Sequence, residues 1–279
     1  MASIKRLAYR AYQFGMRVGT CFLDFGPPEL LEGPGSVKEL PGLVKSKGIR
    51  KVLVVTDRVI MGLGLLDSLL AGMRATGVAY ALYDGVQVNP TVANIEEALA
   101  IFKREGCEAF IAFGGGSPMD CAKAAGARAA NPRKSVLKLR GLLKVRRRPP
   151  LLFAVPTTAG TGSETTVAAI VTVPETHEKF AINDPKLIPR FAVLDPELTV
   201  GLPPQVTAAT GMDALTHAIE AYIGRSNTKK TAEMAEKTVR LVFANLEKAY
   251  TDGKDLRARA GMLLAAPCGG AAFTRAYAG

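Results

Sequence analysis

Ala109-Phe110-Ile111-Ala112-Phe113-Gly114-Gly115-Gly116-Ser117 reads as a short apolar strand running straight into a glycine turn. Five consecutive apolar residues without polar alternation suit a strand buried on both faces of a parallel sheet. The glycines let a ligand approach the backbone closely. A helix is expected next, over 119–130. Its free N–H groups and the positive end of its dipole would then face the gap and attract phosphate. The spacing is not G-x-G-x-x-G, so a plain strand-to-helix turn explains the glycines equally well.

Outward from this point the same alternation repeats. Lys51–Thr56 (KVLVVT) and Val78–Tyr83 read as strands before it, with a helix over about 92–105. A fourth buried strand, Leu151–Val155, ends at Pro156-Thr157-Thr158. Strands alternating with helical segments imply a parallel sheet covered on both faces, a Rossmann-like α/β arrangement. After Gly201-Leu202-Pro203-Pro204 the strand patterns stop. Helical periodicity covers 206–223 and 231–250, and a third helix starts at 255. The expected division is an N-terminal helical extension over 1–27, an α/β dinucleotide-binding domain over 28–202, and an all-helical domain over 203–279. The last is short enough to read as incomplete.

Composition narrows the function classes. Of 279 residues, 48% are hydrophobic and 22% charged, the balance of a soluble globular protein. No apolar run reaches the roughly 20 residues of a membrane span, and no secretory signal is apparent, so a cytoplasmic setting without a membrane partner is expected. Cys21, Cys107, Cys121 and Cys268 are scattered and suggest reduced thiols. The net charge of +11 is uneven: no acid lies between Asp120 and Glu164, while eight cations fall between Arg133 and Arg148. That run has no interleaved aromatics. It is read as a solvated connection rather than a nucleic-acid site.

Three places carry candidate chemistry besides the glycine turn. Asp57 follows the first strand; a carboxylate there can bind a ribose hydroxyl and favour NAD over NADP, or simply cap a helix. Pro156–Glu164 (PTTAGTGSE) offers hydroxyls and amides at the same sheet edge, and Lys179 can approach it. Asp213 and His217 are four apart in a helical segment and therefore share a face. A carboxylate and an imidazole presented together make half of a divalent-metal site. At that spacing an ion pair is the commoner outcome. His177, the other histidine, reads as a surface loop residue.

Taken together these stretches resemble the iron-containing (group III) alcohol dehydrogenase family, from about Pro28 to the C-terminus. The carriers are VVTD (54–57), Asn89-Pro90, GGGSPMDCAKA (114–124), PTTAGTGSE (156–164), DPELTVGLPP (195–204) and ATGMDALTHAIEAY (209–222). The resemblance implies a dehydroquinate synthase-like architecture and NAD(P)-dependent interconversion of a small alcohol with an aldehyde or ketone. It implies iron(II), or zinc(II), as the metal, and a homo-oligomer. By motif, Asp57, Asn89, Gly115, Gly116, Ser117, Thr157, Thr158, Thr161, Thr166 and Lys179 are the expected cofactor contacts. Asp213 and His217 are the expected metal ligands. The family's two further histidines would follow a segment like 270–279, so the chain is expected to be truncated and impaired in turnover. The alternatives are a non-catalytic nucleotide-binding remnant and a glycerol dehydrogenase-like relative.

Overall fold

The computed structural model describes residues 26–276. The elements run β1 (Glu29–Glu32), α1 (Leu40–Ser46), β2 (Lys51–Val55), α2 (Arg58–Gly62), α3 (Asp67–Thr76), β3 (Ala79–Tyr83), α4 (Val92–Arg104), β4 (Ala109–Gly114), α5 (Gly116–Ala130), α6 (Val136–Leu139) and β5 (Gly141–Leu142). They continue with β6 (Leu151–Pro156), β7 (Ala168–Val173), β8 (Glu178–Asn183), β9 (Phe191–Leu194), α7 (Pro204–Ile223), α8 (Lys229–Thr251) and α9 (Leu256–Ala276). The helix expected over 1–27 falls almost wholly outside the described residues.

Six strands form one sheet in the order β1-β9-β6-β4-β2-β3, and every pairing in it is parallel. Alternate residues of each strand point to opposite faces. Leu53, Val55, Phe110, Ala112 and Leu152 pack on one face with Ile95 and Ala98 of α4 and Ala122 and Ala125 of α5. Val52, Val54, Ile111, Phe153 and Val193 pack on the other with Leu40 and Val44 of α1 and Leu69 and Met73 of α3. Both faces are thus covered, as the unbroken apolar runs require.

Local sequence explains where the helices begin. Thr91 and Asn94 close a reciprocal cap at the start of α4, and Thr228 and Thr231 do the same for α8. Asp57 accepts from the Ile60 N–H and starts α2. The Pro203-Pro204 pair opens α7, where a missing N–H costs nothing.

The strands absent from the sequence reading are β1, β9 and the small sheet β5-β8-β7. β1 is a four-residue edge strand with a glutamate at each end. β9 is equally short, though fully buried. The basic stretch also differs from the solvated connection expected. It contains α6 and β5, and Val136, Leu139 and Val145 in it are buried in the core.

Candidate functional site

Strand order locates the site. From β2 the chain steps outward to β3, then crosses back over β2 to β4 and on to β6 and β9. The direction of winding therefore reverses between β2 and β4. In open α/β sheets the crevice outside the carboxyl ends of the strands at such a reversal is where ligands lie. Thr56 and Asp57 leave β2 there, Gly114–Ser117 leave β4, and Thr157 leaves β6.

The glycine turn is built for close approach. Gly114 has φ +145°, and a Cβ on it would lie 2.7 Å from Pro118 Cγ. A Cβ on Gly115 would lie 3.3 Å from Thr158 Oγ1, and one on Gly116 3.1 Å from Thr161 Cγ2. The glycine turn and the threonine loop that follows β6 (residues 157–164) thus lie backbone against side chain. The Thr157 N–H donates to Gly114 O at 3.0 Å, which ties the ends of β6 and β4 together. α5 starts without a side-chain cap, so its first N–H groups remain available at the crevice.

Asn89, Ser117 and Lys179 meet at the rim. The Asn89 N–H donates to Ser117 Oγ at 3.1 Å, and Lys179 Nζ donates to Asn89 Oδ1 at 2.9 Å. Asn89 holds the left-handed conformation at φ 59°, which Asn tolerates better than most residues. Asp57 stands at the β2 end with one carboxylate oxygen engaged by the Ile60 N–H at 2.9 Å. Thr166 is turned elsewhere: its Oγ1 accepts from Lys123 Nζ at 3.0 Å, and it takes no part in the rim.

One polar group at this edge, Thr56, went unremarked in the sequence, whereas Thr157 is among the expected contacts. The hydroxyl of Thr56 is buried without a partner, as is that of Thr157. Unpaired buried hydroxyls are uncommon and call for an explanation. A threonine closing an otherwise apolar strand at its carboxyl end was the available signal. The other overlooked group is a buried charged cluster under the loop. Lys123 Nζ donates to the Thr166 and Ala168 carbonyls at 2.8 and 3.0 Å, while Asp120 accepts from Ser163 Oγ at 2.9 Å and from the Ile170 N–H at 3.2 Å. Burial pushes Asp120 up to about 6 and Glu164 up to about 7, and pulls Lys123 down to about 8.

The threonine loop also holds the helices. A Cβ on Gly160 would lie 2.8 Å from Thr210 Cβ of α7, and one on Gly270 of α9 would lie 2.7 Å from Gly162 O. Thr165 Oγ1 lies 2.9 Å from the Pro267 carbonyl oxygen. Thr210 is one turn before Asp213, so this contact sets the stretch of α7 that carries Asp213 and His217 against the threonine loop. His217 Nε2 lies 3.7 Å from Asp213 Oδ1, and its ring packs on Phe273 with centroids 4.6 Å apart. His217 Nδ1 is buried without a partner. The pair fits a divalent metal in donor type but not in number. Among the described residues no group of three or more His, Cys, Asp or Glu side chains comes together to hold an ion.

A doubly wound parallel sheet with a glycine turn at its reversal, followed by helices carrying an Asp/His pair, defines a nucleotide-site α/β protein with an appended helical unit. Sequence comparison makes the assignment specific. The profile described as iron-containing alcohol dehydrogenase matches residues 27–196, and that of the Fe-containing alcohol dehydrogenase family C-terminal region matches 207–279. The chain belongs to the iron-containing alcohol dehydrogenase family.

It is 43% identical over 249 residues to alcohol dehydrogenase 4 of Schizosaccharomyces pombe, covering 89% of this chain and 59% of that protein. The crystal structure of a 1,3-propanediol oxidoreductase superposes with a TM-score of 0.87 at 38% identity, covering 91% of this chain and 66% of that one. Sulfoacetaldehyde reductase from Bifidobacterium kashiwanohense, solved in complex with NAD+, gives 0.83 at 30% identity, covering 91% and 68%. The chain thus spans about three fifths to two thirds of the length of these relatives.

Proposed function

We propose that this chain binds NAD(H) across the β2/β4 crevice and serves hydride exchange between the nicotinamide and a small alcohol or aldehyde. The single observation that carries the reading is the convergence of the glycine turn, the threonine loop and the Asn89–Ser117–Lys179 rim on one reversal point of the sheet. The unpartnered hydroxyls of Thr56 and Thr157, beside a glycine turn that leaves the backbone bare of side chains, support occupancy by a dinucleotide. In this reading Gly115, Gly116 and the start of α5 take the pyrophosphate, and Asp57 takes the ribose and disfavours a 2′-phosphate. Ser117, Asn89, Thr157, Thr158, Thr161 and Lys179 position the remainder. The bound nicotinamide supplies the hydride acceptor and donor. The dinucleotide-binding unit is assigned to 28–202 and the helical unit to 203–279.

Asp213 and His217 are proposed as two metal donors, with iron(II) or zinc as the ion. Because no third donor joins them among the described residues, no step is assigned to a metal. This observation favours a second reading, nucleotide binding with little or no turnover by the 279-residue chain.

Fluorescence titration with NADH and NADPH separates the possibilities. NADH is expected to bind more tightly than NADPH, and Asp57→Ala to narrow the gap about tenfold, or ~1.4 kcal/mol. Absence of NADH binding at millimolar concentration rejects both readings. Binding without oxidation of 1,3-propanediol after anaerobic iron(II) loading supports the second.

A further inference from the structure

The stretch between α5 and β6 closes into a compact loop. Asn131 Oδ1 accepts from the Arg146 N–H at 3.1 Å, and Lys134 Nζ donates to Lys144 O at 2.5 Å, so both ends are tied together. Val136, Leu139 and Val145 pin it to the core, and Asp184 Oδ2 accepts from the Val145 N–H at 3.1 Å. Loops of this kind, packed on their own side chains with their ends close, are frequently functional.

Three leucines of the loop face outward. Leu137 is 53% exposed, Leu142 44% and Leu143 55%. Leu143 also holds the left-handed conformation at φ 55°, an uncommon setting for a leucine. Around them Arg133, Lys138, Lys144, Arg146, Arg147 and Arg148 are exposed and have no carboxylate partner among the described residues. Arg140 alone in the loop is ion-paired, to Glu178 at 2.6 Å. Beside the loop opens a cavity of about 300 Å³ whose wall includes Leu143, Arg148, Lys186 and Arg190. Lys186 and Arg190 are paired to Asp184 and Glu29, but no carboxylate is among the residues that line the cavity. Loop and cavity lie at the amino ends of β6 and β9, opposite the crevice.

We propose that this loop is a docking surface for an anionic lipid bilayer, with the leucines entering the interface and the cations meeting lipid phosphates. Charge excludes a second copy placed loop to loop, since like charges across a contact repel. Residues 1–25 are also net basic, with Lys5, Arg6, Arg10 and Arg17 against Asp24, and so do not complement the loop. Nucleic acid accounts for the cations but not the leucines, and residues 131–150 contain no aromatic side chain to stack on a base. A bilayer with anionic headgroups satisfies both features. It holds the protein on the surface without a spanning segment, and among the described residues no helix is long and apolar enough to cross a membrane.

Sedimentation with extruded vesicles tests this on the full chain. Vesicles of phosphatidylcholine with a third phosphatidylglycerol are expected to pull the protein down, pure phosphatidylcholine vesicles are not, and added salt is expected to weaken binding. Leu142→Ser with Leu143→Ser leaves charge unchanged and is expected to reduce the partition at least tenfold. Arg146→Ser, Arg147→Ser and Arg148→Ser together are expected to reduce it roughly a hundredfold, from about fivefold per cation near such a surface. All five side chains are exposed, and an unchanged thermal melt shows that each variant folds. The proposal is overturned if the leucine pair binds like the parent, if neutral vesicles bind equally well, or if single-stranded RNA binds the parent and the leucine pair alike while vesicles bind neither.

Discussion

The sheet and the three C-terminal helices bury opposite kinds of side chain. In the sheet, Phe110, Phe113, Phe153, Phe191 and Ile111 are inside and essentially solvent-free. In α7–α9 the buried positions are mostly small, among them Ala214, Ala218, Ala221, Ala235, Ala265 and Ala272. Met212, Ile219, Tyr222, Ile223 and Phe243, by contrast, stand exposed. The sheet is therefore closed by its own helices, whereas α7–α9 pack tightly on each other through alanine and glycine while presenting large apolar groups to the outside. A helix apolar on more than one face is one adapted to more than one neighbour. Tight small-residue packing also makes these helices intolerant of added volume, although each contact buries little area.

The strongest way to break that comparison is at the seam where the threonine loop meets α9. Gly162 has φ +60°, and a Cβ on it would meet the Ala266 carbonyl oxygen and lie 2.9 Å from Gly270 Cα. Gly162→Ala combines left-handed strain with a backbone collision and is expected to cost about 3 kcal/mol. Hydrogen exchange checks where the cost falls. If the two regions have separate stability, amides of α7–α9 lose protection while β2, β4 and β6 keep theirs. Equal loss across the chain would show one cooperative unit and reduce the difference to surface texture.

How legible each region was follows from the same contrast. Lys51–Val55, Ala109–Gly114 and Leu151–Pro156 stood out because central parallel strands carry uninterrupted apolar side chains. β1 and β9 were lost because four residues give too short a pattern, and β7 and β8 because no turn dipeptide marks their antiparallel pairing. The positions of the site showed in glycine and threonine placement, since backbone approach demands those residues. What spacing does not encode is orientation: Thr166 is committed to Lys123 rather than the rim, whereas the cap that Asp57 makes on α2 is one of the two roles its position offered. The buried trio of Asp120, Lys123 and Glu164 was equally hidden, because charged residues in sequence look solvated until a fold covers them.

That trio allows a pH test of how firmly the seam closes. Glu164 lies under the loop and is 2% exposed, with Lys123 and the Cys268 thiol of α9 around it. Burial raises its carboxyl to about 7, above the ordinary 4.5. The folded protein thus holds a proton that the unfolded chain releases from about pH 4.5 upward. Stability from this group is full below that point and is lost as pH rises through 7. Glu164→Gln removes the loss. Relative to the parent, the variant is expected to gain about 2 kcal/mol between pH 5 and pH 8. Urea melts at the two pH values measure the difference. A gap that does not change with pH would mean that water reaches Glu164 and the seam is open.

The smallest expected effect sharpens the comparison from the outer side. Phe243 on α8 is 76% exposed, so it contributes almost no burial to the fold. Phe243→Ser changes helix propensity little, since the two residues rank together. Stability in dilute solution is therefore expected to move by less than about 0.5 kcal/mol. An exposed aromatic among other apolar groups instead acts between molecules. Any association that favours the folded chain makes its melting temperature rise with protein concentration. The parent is expected to show that rise and to scatter light at high concentration, and the serine variant to show less of both. If Phe243→Ser instead lowers the dilute melt by several degrees, the side chain is held by contacts within the chain. The contrast between a closed sheet and open helices would then have to be redrawn with α8 on the closed side.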